Sequence, residues 1–215
     1  MHRWCVTLDV SPAASASLYA TLSEDERDRS ARFRFERDRR RFTVARGVLR
    51  ELLGRYLGTD PGEIRFAYNP FGKPALSPEF GSRIKFNLSH SAGCALIGIT
   101  AGADIGVDLE RVRAQPDRAE IARRFFSPAE VDELSRLPGH LQTQAFLRYW
   151  TRKEAYVKAC GESLDDGAST DVAAAPRWSV YTVHPAPDYI GALVVEGGGW
   201  RLREWHWGSL ISSSL

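Results

Sequence analysis

Two short stretches of this chain carry side chains able to do chemistry together. One is Asp108-Leu109-Glu110, two carboxylates separated by a single apolar residue. The other is Trp150, Glu154 and Lys158, spaced four apart so that a helix stacks an aromatic, an acid and a base on one face. Carboxylates at alternate positions of a strand point the same way and repel unless something positive lies between them. A divalent ion bound through oxygen supplies that charge, and plain solvent is the ordinary alternative. Glu154 and Lys158 taken alone amount to a surface ion pair worth a few tenths of a kcal/mol. Lys73, held between Gly72 and Pro74, and Ser89-His90, closing an apolar run, add a cation and two phosphate-compatible polar groups. Lys73 by itself is equally an exposed loop lysine.

These groups need elements to position them. The run 105–111 alternates as a strand, with Val107 and Leu109 on one face and Asp108 and Glu110 on the other, and Gly106 permits close approach of another backbone. With the apolar runs 84–91 and 94–100, joined by tight polar connections, it reads as an antiparallel meander. The pattern over 141–160 is helical and stops at Gly161. Upstream, Ser23 and Glu26 form a capping-box pair, and Phe42, Ala45, Leu49, Leu52, Leu53 and Tyr56 recur at helical spacing up to Gly58. The arginines crowding 27–46 are mostly the solvated face of that segment, with Arg46 placed to face inward. Ser127-Pro128-Ala129-Glu130 starts another helix. After Gly161 a loop over 168–176 leads to strands near 177–183, 189–195 and 200–207. The last two are expected to form a hairpin through Gly197-Gly198-Gly199, ahead of a frayed end at 208–215.

The order of elements predicts an α+β protein with two halves of similar size and no internal sequence repeat. The expected division falls at 112. Residues 1–112 carry the Gly-Lys-Pro, Ser-His and Asp-x-Glu segments, and 113–215 carry the helix of Glu154 with the final strands. At 215 residues and 43% hydrophobic content the chain is long enough for such a core. Cys5, Cys94 and Cys160 lack the spacing of a zinc site or a disulfide framework. The polar amino-terminal segment does not resemble a signal peptide, and no apolar run approaches membrane-span length. A soluble, cytoplasmic protein is expected.

Five segments, in order, resemble the Sfp-type 4′-phosphopantetheinyl transferases. They are Phe71-Gly72-Lys73-Pro74, Phe86-Asn87-Leu88-Ser89-His90-Ser91, Ile105-Gly106-Val107-Asp108-Leu109-Glu110, the 123–130 segment ending Ser127-Pro128-Ala129-Glu130, and Trp150-Thr151-Arg152-Lys153-Glu154-Ala155-Tyr156-Val157-Lys158. The similarity runs from about 24 to 164. It implies a pseudo-twofold pair of α/β halves with the active site in the cleft between them. It further implies transfer of the phosphopantetheine arm of coenzyme A to a serine of an apo acyl or peptidyl carrier protein, releasing adenosine 3′,5′-bisphosphate. Asp108, Glu110 and Glu154 would hold Mg²⁺, with Mn²⁺ as the alternative ion. Glu154, Lys158 and His90 would be catalytic, Glu154 acting as base directly or through metal-bound water. Arg46, Lys73, Ser89, His90, Asp108 and Lys158 would bind coenzyme A, with Lys73 and Arg46 at the nucleotide end and Arg29 or Arg41 assisting. Trp150 is expected to pack, and Asn87 to anchor the chain around His90. Lys153 is balanced between phosphate contact and solvent. Phe42 departs from the polar residues frequent at its position in relatives.

Three functions compete on these residues: the transferase, a catalytically silent coenzyme A-binding relative serving as sensor or scaffold, and an arginine-rich nucleic-acid binder. A net charge of +2 with no second basic stripe counts against nucleic acid. A monomer is expected, with no membrane partner.

Overall fold

The computed structural model describes residues 1–162 and 176–208. Apart from residues 176 and 208, the loop expected over 168–176 and the frayed end expected over 208–215 lie outside the described residues. The chain opens with β1 (His2–Thr7), α1 (Pro12–Ala20) and α2 (Glu24–Ala31), then the 22-residue α3 (Glu36–Leu57). Ser23 and Glu26 form the expected reciprocal cap of α2. Helix α3 ends where Gly58 turns left-handed at φ 67°, the usual reason for glycine after a helix. The short strands β2 (Phe66–Tyr68) and β3 (Pro74–Leu76) pair with each other, and β4 (Ile84–Ser91), β5 (Cys94–Ala101) and β6 (Ile105–Arg111) follow. Then come α4 (Arg118–Phe125), α5 (Pro128–Arg136), α6 (Gly139–Cys160), β7 (Trp178–Val183), β8 (Tyr189–Glu196) and β9 (Arg203–His206). None of the described helices is long and apolar enough to cross a membrane.

The architecture is mixed α+β, as expected, built around two main sheets in the orders β4-β5-β1-β9 and β6-β8-β7. The alternation of strand side chains stacks these sheets between helices. Val6, Ala95, Ile97 and Ile99 join Val44, Val48, Leu49 and Leu52 of α3 in one core. Cys5 and Leu96 of the same sheet turn the other way and meet Ile105, Val107 and Leu109 of β6. On the far side of the second sheet, Ala192 and Val194 pack on Ala155 and Ala159 of α6. Small residues are required there because helix and sheet approach closely.

Two expectations about strand pairing are corrected. The strands β4, β5 and β6 do not form one meander, since β6 pairs with β8 in the second sheet. After the turn at Gly102 (φ 99°) β6 crosses the face of β5, where Ile105 and Val107 press onto Gly98. A Cβ at Gly98 would lie 2.6 Å from Ile105 Cδ1, so a side chain there would push the sheets apart. Nor does the triglycine make a hairpin, because β9 leaves β8 and pairs parallel to β1. That pairing covers an otherwise open edge of β1, and Trp205 stacks on Trp4 across it with ring centroids 5.7 Å apart. Pairing therefore crosses residue 112 in both directions.

As an edge strand of its sheet, β6 needs its outward backbone groups satisfied. Strand β4 supplies side chains for this purpose. Asn87 Oδ1 accepts the Val107 amide at 2.8 Å and Ser91 Oγ accepts the Arg111 amide at 3.1 Å. On the opposite flank α6 lies so close that a Cβ at Gly106 would fall 1.9 Å from the Ala155 carbonyl oxygen and 2.4 Å from the Ala159 nitrogen. Both are helix backbone atoms that cannot move singly. Gly106→Ala is expected to destabilise by about 3 kcal/mol, the upper part of the overpacking range. For a chain of this size that lowers Tm by about 6–12 °C in a thermal melt. An unchanged melt would show that α6 is free to retreat.

Candidate active site

The contact at Gly106 brings the two acid-bearing elements together. On β6 the residues Gly106, Asp108 and Glu110 face α6, and on α6 the i,i+4 pair Glu154 and Lys158 faces back. Lys158 Nζ lies 2.6 Å from Asp108 Oδ1 and 3.8 Å from Glu154 Oε2. Ser89 Oγ donates to the same Asp108 Oδ1 at 2.9 Å, and Ser91 Oγ donates to Glu110 Oε2 at 3.0 Å. Two carboxylates thus flank one ammonium, and Glu110 feels the charge of both Lys158 and Asp108. The pairing of Glu154 with Lys158 is not the solvated surface pair that the spacing alone allows.

The electrostatics are unbalanced in a specific direction. Burial is the largest cause raising the Glu110 carboxyl above its ordinary pKa, and the Asp108 charge adds to it. Burial also raises Glu154; Lys158 opposes this, while Asp108 and Glu110 reinforce it. Asp108 is only 4% exposed, yet its Oδ2 has no hydrogen-bond partner. A buried carboxylate oxygen without a partner is costly and is the kind of atom a cation would satisfy. Among the described residues no three acidic, histidine or cysteine side chains are already gathered tightly enough to hold a metal ion. Asp108, Glu110 and Glu154 are oxygen donors suited to a hard divalent cation. Lys158 sits on Asp108 Oδ1, so the unpartnered Oδ2 is the oxygen open to a cation.

His90 borders this cluster at the end of β4, in the strand rather than in a following loop. It lines a cleft of about 790 Å³ with Ser91, Arg41, Arg111, Arg113 and the Phe33–Phe42 pair. The protein around it desolvates the ring and, with the charges of Lys158, Arg29 and Arg41, lowers its pKa. Arg37, Arg41, Arg111 and Arg113 share the cleft walls with Asp9, Asp38 and Asp188. Arg41 is clamped by Asp9, with bonds of 2.8 and 2.7 Å. Ala92 (φ 48°) and Asp188 (φ 59°), the non-glycine residues with left-handed backbone among the described residues, both line the same cleft. Such strain collects at functional sites.

The remaining expected residues are placed elsewhere. Arg46 is not at the acids: it pairs with Glu26 and donates to the Tyr68 hydroxyl, its guanidinium 4.3 Å above the Phe66 ring centroid. Arg50 shares Glu26, so this buried acid has two arginine partners. The Lys73 amine donates to the carbonyls of Ile105 (3.3 Å) and Ala159 (3.2 Å), and Asn69 Nδ2 donates to the Gly161 carbonyl at 3.0 Å. The 69–73 loop thereby clamps the start of β6 to the carboxyl end of α6, where a cation also suits the helix dipole. Burial lowers the Lys73 pKa. Asn87 anchors β6 rather than the surroundings of His90. Lys153 meets neither solvent nor an open phosphate site, for it is 3% exposed and pairs with Glu130 Oε2 at 3.3 Å. Trp150 packs as expected, against Phe146 and Phe125. Ser91 and Asp9 were not singled out from the sequence. The alternation Asn87, Ser89, Ser91 was the signal available for Ser91.

The raised carboxyls fix the sign of a pH effect. A folded-state acid with a raised pKa binds its proton more tightly than the unfolded chain does, so its charge destabilises the fold at neutral pH. That penalty disappears as pH falls below the ordinary carboxylate value of about 4.3. In metal-free buffer Glu110→Gln should therefore melt above the unchanged protein at pH 7, with the gap closing near pH 4. A gap of the opposite sign at pH 7 would reject the repulsive reading.

Comparison with known proteins bears on this site. A family profile described as "4'-phosphopantetheinyl transferase, N-terminal" matches residues 10–101, and one described as "4'-phosphopantetheinyl transferase superfamily" matches residues 104–193. The chain is 40% identical over 218 residues to the 4′-phosphopantetheinyl transferase HetI of Nostoc sp., covering 96% of this chain and 92% of that protein. It is 31% identical over 143 residues to the 4′-phosphopantetheinyl transferase Sfp of Bacillus subtilis, covering 66% of this chain and 62% of that protein.

Proposed function

Because this chain belongs to the 4′-phosphopantetheinyl transferase superfamily, we propose that the cluster around Lys158 carries out Mg²⁺-dependent transfer of phosphopantetheine from coenzyme A to a carrier-protein serine. The observation that carries this reading is the pairing of Lys158 with both Asp108 and Glu154, with Glu110 within reach of the same charges and Asp108 Oδ2 buried and unpartnered. Asp108, Glu110 and Glu154 would hold the Mg²⁺, whose chemistry is to neutralise diphosphate charge.

In the transfer the serine oxygen forms a bond to the phosphorus bearing the pantetheine arm. The diphosphate P–O bond breaks, and adenosine 3′,5′-bisphosphate leaves with the bridging oxygen. Glu154 is the assigned acceptor of the serine proton. Its raised pKa makes it a better base than an ordinary glutamate while the neighbouring Lys158 keeps its charged form accessible. Lys158, once turned from Asp108, supplies positive charge to the leaving diphosphate. His90 donates to a phosphate oxygen, with Arg29 and Arg41 adding charge nearby; Ser89 is assigned to phosphate by resemblance and would first have to release Asp108 Oδ1. Arg46 and Lys73 are assigned to the nucleotide end by resemblance, and each would first have to give up the partners described above. The nucleophile comes from the partner protein, so the chemistry needs no serine–histidine–aspartate triad.

Incubation with coenzyme A, Mg²⁺ and an apo carrier domain should add one phosphopantetheine mass to the carrier. Folded protein giving no adduct on several carriers would overturn the proposal. Glu154→Gln should keep its fold by circular dichroism and lose transfer by at least a hundredfold, the lower bound for a general base. Turnover like the parent's would remove Glu154 from the mechanism. Lys73→Ala is expected to raise the KM for coenzyme A. An unchanged KM with a lowered Tm would assign Lys73 to the carbonyl clamp alone.

A further inference from the structure

Strand β4 presents Asn87, Ser89 and Ser91 on the face that covers the open edge of β6, and each binds a different part of it. Asn87 takes a backbone amide, Ser89 takes the Asp108 carboxylate, and Ser91 takes both kinds of group at once. A serine hydroxyl has one proton and two lone pairs. In Ser91 a lone pair receives the Arg111 amide at 3.1 Å, and the proton goes to Glu110 Oε2 at 3.0 Å. The amide comes from the residue following Glu110, so the hydroxyl is fixed against the same short segment whose carboxylate it orients.

We infer that Ser91 is a positioning residue: its hydroxyl commits one oxygen of Glu110 and leaves the other to meet a divalent cation. Ser89 does the equivalent for Asp108, binding Oδ1 and leaving Oδ2 buried and unpartnered. Each strand acid is thereby held through one oxygen, Asp108 by Oδ1, which also meets Lys158, so that Oδ2 is the oxygen left for a cation in place of a two-oxygen chelate. One oxygen per carboxylate leaves coordination positions for water and substrate phosphate, which suits Mg²⁺. Groups that orient a ligand without touching the metal change metal affinity by about 10–100-fold when removed. Ser91 also lines the cleft beside His90, so its hydroxyl sits where the metal-bearing acids and the phosphate-binding wall meet.

This assignment rests on the cation reading of the acid cluster, and the test separates the two. Mn²⁺ binding is measured by electron paramagnetic resonance on the intact protein without coenzyme A, with thermal melts of each variant alongside. Ser91→Ala is expected to weaken Mn²⁺ binding about tenfold or more, and Ser91→Thr, which keeps the hydroxyl on a β-favourable residue, to restore most of it. In transfer assays S91A should raise the Mg²⁺ concentration for half-maximal rate while saturating Mg²⁺ recovers most of kcat. Parent-like Mn²⁺ affinity in S91A overturns the assignment. So does equal weakening in the threonine variant, since the hydroxyl would then not be the operating group. Failure of the parent protein to bind Mn²⁺ overturns the cation reading and this assignment with it.

Discussion

The approach of α6 onto β6 at Gly106 sets the position of everything that does chemistry here. A helix backbone lying where a Cβ would stand brings Ala155 and Ala159 onto the second sheet. It thereby places Glu154 and Lys158 opposite Asp108 and Glu110. The contact is held from outside the helix as well, by Lys73 on the carbonyls of Ile105 and Ala159 and by Asn69 on that of Gly161. Across this contact Lys158 reaches Asp108 at 2.6 Å and ties the two acid-bearing elements together.

That closeness has an electrostatic consequence. Burial and mutual repulsion raise Glu110 and Glu154, and one lysine cannot neutralise three carboxylates. The fold tolerates the charge because β4 supplies hydroxyls to one oxygen of each strand acid and because Lys158 stands between the elements. Stability at the site is given up in favour of an arrangement that a divalent cation and a diphosphate would complete. The neighbouring cleft mixes both signs, with Arg41 held by Asp9 and with Arg111 and Arg113 beside a His90 ring whose pKa burial and nearby cations lower.

The two sheets show how a chain can cross its own apparent boundary. Strand β6 follows β5 in sequence but joins β8, and β9 returns from the second sheet to cover β1. Hydrophobic alternation does not distinguish these pairings from a meander and a hairpin, because both satisfy the same in–out pattern along each strand. The glycines decide the matter: Gly98 gives room for β6 to lie across β5, and Gly106 gives room for α6.

The sequence by itself carried most of the elements, though not β3, together with the family resemblance and the acids as candidates. Capping boxes, terminal glycines and period-2 or period-3.6 patterns are local signals, so Ser23, Ser127, Gly58 and Gly161 mark helix ends where the structure has them. The facing of Asp108 and Glu110, and the column of Trp150, Glu154 and Lys158, followed from the same periodicities. Only the tertiary structure decided which cations those acids meet. Lys158 was legible as a candidate, yet Lys153, one residue from Glu154, turns inward to Glu130, and Arg46 is held by Glu26. Long side chains choose partners by where distant elements pack, and no spacing within one helix records that. The same holds for Ser91, whose role exists because β4 and the edge of β6, parted by a whole strand in sequence, are brought within hydrogen-bonding distance.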